Sequence, residues 1–540
     1  MDIQENRIPA SLRRFFFYGL LGGIVATIVL FVGTNLLALP FPPEAIFQLL
    51  IAPVPGAIQS VVVETFREYA KYTAFVFSAA IYALMYALLG VLTGFLLGKN
   101  LHTKRIEAVI VGAAIPSVVA LGLDGLLTSR SSALASPSGW LISGMLILGV
   151  NLAYANLFVQ RVGPRVTTQH IDKARPAGTS SRRGFLKKAA IITAVLALAG
   201  LAARVGLDMF SGQPVVRSDT PIPIDNPLIE TNFQDLPAIF RDERIRDLVG
   251  SEITDNRGFY RVDINPIPPQ LNFDQWSLKI SGKVKKSLVL NKDSLMSLPT
   301  KNEYATLECV SNTINPPGAL ISNAKWTGVP LAAILDQAGV SSGAKYIVFR
   351  CADGYSVGIS LDRAMQPGAL LAYKMNDELL PNEHGFPLRA IVPGIYGMMN
   401  AKWITEIEVV DYVYLGFWQE RGWSNDARIK TTSIIYYPPA QAQVSGSLPI
   451  AGTAFAGDRG ISKVEVSTDG GITWNEAILK KPRSPNSWVL WVSEWTTTAK
   501  GDHTIVVRAT DGTGQLQDPE FRTPFPEGAT GYHSIDVTVT

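Results

Sequence analysis

Apolar positions along this chain fall into two regimes that divide near residue 210. Before that point, four uncharged stretches begin at Phe15, Tyr72, Ala108 and Ser131. Crossing a hydrocarbon core takes about 20 apolar residues. The pattern therefore predicts spanning helices near 15–38, 72–97, 106–127 and 139–160, the third weakened by Pro116 and Asp124. A fifth helix over 189–207 has a shorter apolar core, broken by Arg204. Residues 45–63 are also uncharged, but Pro53 and Pro55 favour a re-entrant or surface-lying segment over a full crossing.

Beyond residue 210 the period shortens. Pro214, Pro221, Pro223 and Pro227 lie in 211–230 without helical spacing, which reads as an extended linker. Over 231–438, short alternating strands (Trp276 to Ser281, Tyr346 to Phe349, Ile404 to Val410) mix with turns and a few helices such as Leu331 to Ala338. That mixture is α+β and lacks regular βαβ winding. Over 439–540, Val464 to Val466 leads into the turn Thr468-Asp469-Gly470-Gly471, and further strands follow at Trp488 to Trp495 and His503 to Ala509. Such spacing predicts an antiparallel β-sandwich, with no chemistry expected in it.

Charge turns this map into a topology. The net +3 is an average: residues 1–210 carry 18 basic and 9 acidic side chains, the remainder 30 and 36. Arg7, Arg13 and Arg14 precede the first helix, Lys99, Lys104 and Arg105 follow the second, and eight Lys or Arg lie between the fourth and fifth. The opposite loops carry only Arg67, Lys71 and Arg130. The positive-inside rule then places the N-terminus in the cytoplasm. Five crossings make this a multi-pass plasma-membrane protein of a prokaryote, with everything after 210 outside. The loop Ser181-Arg182-Arg183-Gly184-Phe185-Leu186-Lys187 adds inside charge, and it also resembles a twin-arginine export signal, so 166–210 reads as a signal anchor. That export route carries proteins already folded around a cofactor.

Several function classes drop out. The acidic second part offers no basic stripe for nucleic acid. Two cysteines, Cys309 and Cys351, exclude a disulfide-dense scaffold, and Cys351 is expected to pack in a strand. His102 and His170, the only histidines of the membrane part, fall in loops, so no haem is expected.

There is no Walker loop, no GxGxxG after a strand, no HExxH and no GxSxG. Two segments of the middle domain stand out instead. In Tyr304 to Asn312 a lone cysteine, Cys309, ends a strand and enters a turn. In His384 to Arg389, followed by Pro393-Gly394 and Lys402-Trp403, three basic side chains gather around Gly-rich backbone. Arg, Lys and free backbone N–H groups together suit a phosphate. From the residues alone the site reads as a thiolate beside an anion-holding cluster. The plainer alternatives are a buried small hydrophobe for Cys309 and a turn-stabilising core histidine for His384.

These same residues carry a resemblance. Gly258-Phe-Tyr-Arg261, Thr306-Leu-Glu-Cys309-Val-Ser-Asn312, Trp326 to Leu331, Ala352-Asp353-Gly-Tyr355, Leu371 to Asn376, His384 to Arg389 and Ala401-Lys402-Trp403 occur in order. Together they resemble the sulfite oxidase family of molybdopterin-dependent oxidoreductases, of the bacterial integral-membrane type. The segment after them resembles that family's immunoglobulin-like dimerisation domain. The resemblance implies that Cys309 ligates molybdenum, that His384, Arg389 and Lys402 surround the pterin and its phosphate, and that Arg261 lies near the metal and draws in an oxyanion. It also implies that Asn312 belongs to the cysteine turn, with Asp353 a looser match in the cofactor site. Two departures stand out. The basic and aromatic insertion that animal and plant sulfite oxidases carry after the cysteine turn is missing, since Asn312 leads at once to Asn315-Pro316-Pro317-Gly318. Trp423 stands at the position of a family tyrosine.

The expected fold is thus multidomain: an all-α transmembrane domain over 1–165, the signal anchor, the linker, an α+β molybdopterin domain over 231–438 and an Ig-like β-sandwich over 439–540. The expected function is oxygen-atom transfer on a small oxo-acid or oxo-compound with molybdenum-molybdopterin. A reductase of S-oxides or N-oxides at the same site is the alternative, and a cofactor-free surface binding protein the alternative of another class. Expected partners are the small-molecule substrate, the lipid bilayer, an electron-transfer partner and a second copy bound through the C-terminal domain.

Overall fold

The computed structural model describes residues 10–37, 42–51, 69–97 and 236–540 except 266, 267 and 498, with single positions at 54, 58, 117, 148, 149 and 151. The chain divides into two compact units, one of residues 1–53 and 71–212 and the other of residues 54–70 and 213–540.

In the first unit two long helices, Ala10–Leu37 and Tyr69–Leu97, contain stretches apolar and long enough to cross a membrane. The first starts five residues before the expected limit because Arg13 and Arg14 are good helix formers and continue the helix past its apolar stretch. They meet through small residues. A methyl group on Gly19 or Gly23 would come within 2.6 Å of the Tyr86 or Ala83 carbonyl oxygen, and Ala26 and Ala87 are fully buried. This is close helix–helix packing through Gly and Ala. Tyr86 donates to Asn151 at 2.7 Å, and Asn151 to Ser117 at 3.0 Å. The segment expected to be re-entrant over 45–63 opens as a helix, Pro42–Ile51, with Pro42 and Pro43 in the first turn, where proline is tolerated. The helices expected at 106–127, 139–160 and 189–207, the twin-arginine segment and the linker lie outside the described residues, apart from the single helical positions above.

The second unit opens its α+β part with a five-stranded sheet of order β2-β1-β10-β5-β6. Its strands are β1 Ser277–Gly282, β2 Leu288–Asn291, β5 Tyr346–Cys351, β6 Ser356–Ser360 and β10 Ile404–Val410. Alternation explains its outer strands, with Leu278 and Ile280 of β1 and Leu288 and Leu290 of β2 turned inward. Central β5 buries Ile347, Val348 and Phe349 in succession because both its faces are covered. Helix Leu331–Ala338 buries Leu331, Ile334, Leu335 and Ala338, one helical face, and stops at left-handed Gly339. A second sheet joins β3 Lys301–Glu308, β4 Ile321–Pro330, β7 Leu370–Met375 and β8 Glu378–Leu379, with β9 Arg389–Ile391 added to β7.

The C-terminal part has two sheets. One contains Thr432–Tyr437, Ser447–Phe455 and Val489–Thr496; the other contains Ile461–Ser467, Gly501–Asp511 and His533–Val539. Ile450 and Trp491 of the first share a core with Val464, Val507 and Val537 of the second. The expected boundary at 438 comes too late. Thr432–Tyr437 pairs along Ser447–Phe455, so it already belongs to the C-terminal sheets. The start of the expected α+β domain also packs there: Phe240, Ile245 and Val249 meet Ala451 and Val492. Buried Glu252 joins Lys480 at 2.7 Å and Arg483 at 2.8 Å. Six buried residues, Val310, Tyr396, Trp423, Ile429, Phe455 and Trp488, continue this contact up to the cysteine turn.

Candidate active site

Strand β3 becomes fully buried toward its end and delivers Cys309 directly after Glu308. The turn is tied at each step. Cys309 N–H donates to the Leu320 carbonyl at 2.9 Å, and Asn312 N–H donates to the Cys309 carbonyl at 3.0 Å. The Asn312 side chain donates to Glu308 Oε1 at 2.9 Å and accepts from Leu320 N–H at 3.0 Å. Gly318 is required because a methyl group there would strike the Asn312 amide oxygen. Burial pushes the Cys309 thiol up, partly opposed by Ser311 Oγ at 3.1 Å. Burial also raises Glu308 to about 7 against the opposing Asn312 bond, and its Oε2 has no partner among the described residues.

The basic cluster assembles from the turn before β9, from β9 itself and from the segment leading into β10. Gly385 sits at φ +110°, and a methyl group there would come within 3.0 Å of the Cβ atoms of both Arg389 and Lys402. Arg389 is 5% exposed, donates through Nη1 to the His384 carbonyl at 3.0 Å and stacks 4.8 Å from the Trp326 ring. Its Nε has no partner among the described residues, and burial lowers its guanidinium to about 10. His384 Nε2 lies 2.7 Å from the Asn256 carbonyl, so that nitrogen carries the proton. Burial, then Arg389 and Lys402, depress His384 to about 3, and the ring is neutral. Burial lowers Lys402, which is held by Asp263 and by the Glu383 carbonyl at 3.1 Å. Asp353 is raised to about 7, chiefly by burial, and its carboxylate accepts from Tyr355 N–H at 3.0 Å.

These groups line one solvent-open cavity of about 940 Å³. Five of the seven expected residues meet there: Cys309, Asp353, His384, Arg389 and Lys402. Arg261 and Asn312 do not line it. Arg261 Nε pairs with Asp263 at 3.2 Å, and the Asn312 amide is taken up by Glu308 and Leu320. Sequence reasoning missed Tyr260, Val262 and Asp263, which line the cavity beside Arg261, and also Tyr355 and Trp418. The available signal was only their place beside Arg261 in the sequence. Cys351 is a buried free thiol at the end of β5, as expected.

Among the described residues no three His, Cys, Asp or Glu side chains converge, so the protein offers a metal a single thiol here. A group that brings its own metal ligands and a phosphate fits this donor set. Buried Arg389 keeps its Nε without a hydrogen-bond partner among the described residues, and the cavity has room beside Cys309.

Comparison with known proteins agrees with this reading. Residues 264–418 match the oxidoreductase molybdopterin binding domain, and residues 425–527 match the Mo-co oxidoreductase dimerisation domain. Sulfite oxidase of Gallus gallus is 30% identical over 312 residues, covering 49% of this chain and 68% of that protein. Mitochondrial sulfite oxidase of Drosophila melanogaster is 32% identical over 343 residues, covering 53% of this chain and 59% of that relative's length. The crystal structure of sulfane dehydrogenase SoxCD from Paracoccus pantotrophus aligns with 24% identity and a TM-score of 0.46, over 52% of this chain and 83% of that one. The chain belongs to the sulfite oxidase family of molybdopterin-dependent oxidoreductases, and its cofactor is molybdenum-molybdopterin.

Proposed function

We propose that this protein is a membrane-anchored, exported oxidoreductase that transfers one oxygen atom and two electrons to or from a small sulfur or nitrogen compound. The observation that carries the reading is a buried free thiol and a buried guanidinium, its Nε without a hydrogen-bond partner among the described residues, on one cavity. When bound, molybdenum-molybdopterin supplies the two-electron chemistry, and the protein supplies position and electrostatics. Cys309 would be the metal ligand. Arg389, with Lys402 and neutral His384 beside it, would hold the phosphate and pterin, and Asp353 would face the same cavity. Asn312 would act from outside the cavity by fixing the cysteine turn. Asp263 would hold Lys402 and Arg261 in place in a buried setting.

The two apolar helices support anchoring in a bilayer, with the remaining crossings, the 166–210 signal anchor and the 211–230 tether completing the route to the outer face. The Ig-like reading of the C-terminal sheets and the match to a dimerisation domain support a homodimer, with a separate protein exchanging electrons.

Full-length protein purified from a host that makes molybdopterin should contain about one molybdenum per chain. Cys309→Ser should abolish the Mo(V) resonance. Metal-free wild-type protein from that host would overturn the proposal.

A further inference from the structure

We infer that the loop over 411–416 and the lysines around it dock on an anionic lipid surface, with Tyr412, Val413 and Leu415 entering it. The inference rests on the membrane anchoring proposed above and adds a second contact with the bilayer, made by the α+β part itself.

The loop leaves the end of β10 and returns along β6, and it is pinned from beneath. Tyr414 turns inward, with its hydroxyl 2.9 Å from Ser356 Oγ and its ring 5.9 Å from the Arg350 guanidinium. Its Cβ lies over Gly358, where a methyl group would come within 2.9 Å of it. Phe417 N–H donates to the Ser356 carbonyl at 3.0 Å, and a methyl group on buried Gly416 would strike that same oxygen. With Tyr414 and Gly416 turned in, Tyr412, Val413 and Leu415 are turned out, at 51%, 57% and 49% exposure. A loop held in this way presents its apolar side chains, and clusters of this kind mark contact surfaces.

The charge around them names what they contact. Lys283 N–H donates to the Val409 carbonyl, Lys345 N–H to the Val410 carbonyl and Lys285 N–H to the Gly339 carbonyl, each at 2.8 Å. These bonds gather Lys283, Lys285, Lys286 and Lys345, all exposed, at the end of the sheet from which the loop departs. Asp411 pairs with Lys283 at 2.8 Å, while the exposed Asp336 and Asp362 sit on helices that pack against the opposite face of this sheet. This cationic end belongs to a part of the chain that carries more acidic than basic side chains. Tyrosine, aliphatic side chains and lysine form an interfacial set: rings and methyl groups enter the headgroup boundary while ammonium groups stay among the phosphates. Each lysine near an anionic leaflet strengthens the contact ~5-fold.

Lipid is also within reach. Two helices of this chain are apolar and long enough to cross a bilayer, and residues 208–235, fully extended, span at most ~100 Å. A bilayer is therefore the anionic, apolar partner that the anchored chain always has beside it. The same loop continues into Trp418, which lines the cavity, so docking here turns that wall of the cavity toward the bilayer.

The test uses the full-length chain reconstituted into vesicles of phosphatidylcholine with phosphatidylglycerol, and of phosphatidylcholine alone. Cys309 and Cys351 are buried, so a nitroxide attached through Val413→Cys or Leu415→Cys reports from the loop. Ile472→Cys, at a position 82% exposed in the C-terminal part, is the control. Power saturation compares collisions with oxygen, which concentrates in lipid, and with a water-soluble nickel chelate. In the anionic vesicles the labels at 413 and 415 should favour oxygen and the label at 472 nickel. The docked fraction should fall ~10-fold or more with Lys283→Gln/Lys345→Gln, and likewise in phosphatidylcholine alone. Labels at 413 and 415 that meet nickel as often as the label at 472 would overturn the inference. So would immersion that ignores lipid charge and both lysines. Shielding that requires added polyglutamate would overturn it in favour of an acidic protein partner. Carbonate extraction checks the anchoring separately. A chain that carbonate releases, but whose labels had entered anionic lipid, loses the anchor and keeps this contact; a retained chain with both labels in water loses only this contact.

Discussion

Replacing Arg389 by methionine should push stability and cofactor content in opposite directions. The side chain is a cation with 5% exposure, one carbonyl partner and an aromatic ring beneath it. Burial takes it from 12.5 to about 10, which corresponds to roughly 3 kcal/mol of disfavoured charge. The bond to the His384 carbonyl offsets ~1.5 kcal/mol of that, and the stack on Trp326 ~1 kcal/mol. Arg389→Met removes all three contributions and fills the space with apolar atoms, so the cofactor-free protein should gain ~0.5–1.5 kcal/mol. The same change removes the cation for the phosphate, so molybdenum and releasable pterin should fall at least ~10-fold. The assay pairs urea unfolding of cofactor-free wild type and variant, followed by tryptophan fluorescence, with molybdenum analysis of both as isolated. A variant destabilised by 2 kcal/mol or more that still carries wild-type molybdenum would refute the reasoning and make Arg389 a core residue.

Three further perturbations probe the frame around the site. Gly385→Ala must hold φ +110° with its methyl group 3.0 Å from the Cβ atoms of Arg389 and Lys402. It should cost ~1–3 kcal/mol in unfolding experiments and lower molybdenum content. His384 is depressed from 6.5 to about 3, so its share of stability is complete above pH 6.5 and is lost as pH falls toward 3. At pH 4.5 that loss is ~2–3 kcal/mol, and unfolding midpoints of cofactor-free wild type and His384→Gln should draw together as the pH drops from 7 to 4.5. Glu252 is nearly fully buried between Lys480 and Arg483. Glu252→Ala strands two cations and should cost ~3–5 kcal/mol, visible as separate unfolding of the α+β and C-terminal parts by calorimetry.

Much of the fold was legible because alternation and helical spacing are local properties. Ile404 to Val410 and Leu331 to Ala338 match the observed β10 and helix residue for residue. The boundary at 438 was not legible, because nothing local in Thr432–Tyr437 says which sheet it will join. Its partner, Ser447–Phe455, lies across a turn, and only pairing decides membership. The same holds for Phe240, Ile245 and Val249. They read as the start of one domain and bury their apolar faces against another.

At the site, residue identity was legible and orientation was not. Cys309, His384, Arg389 and Lys402 stood out by chemistry, and the fold brings all four to one cavity. Arg261 stood out for the same reason and does not line it. What decides its role is Asp263, two residues further on, which binds Arg261 and Lys402 together. Asp263 lies against both cations and fixes where each points. The expectation that Arg261 draws in an oxyanion came from the resemblance, and the structure pairs Arg261 with Asp263 at 3.2 Å. Among the described residues that line the cavity, Lys402 is bound to Asp263, while the Arg389 Nε has no hydrogen-bond partner.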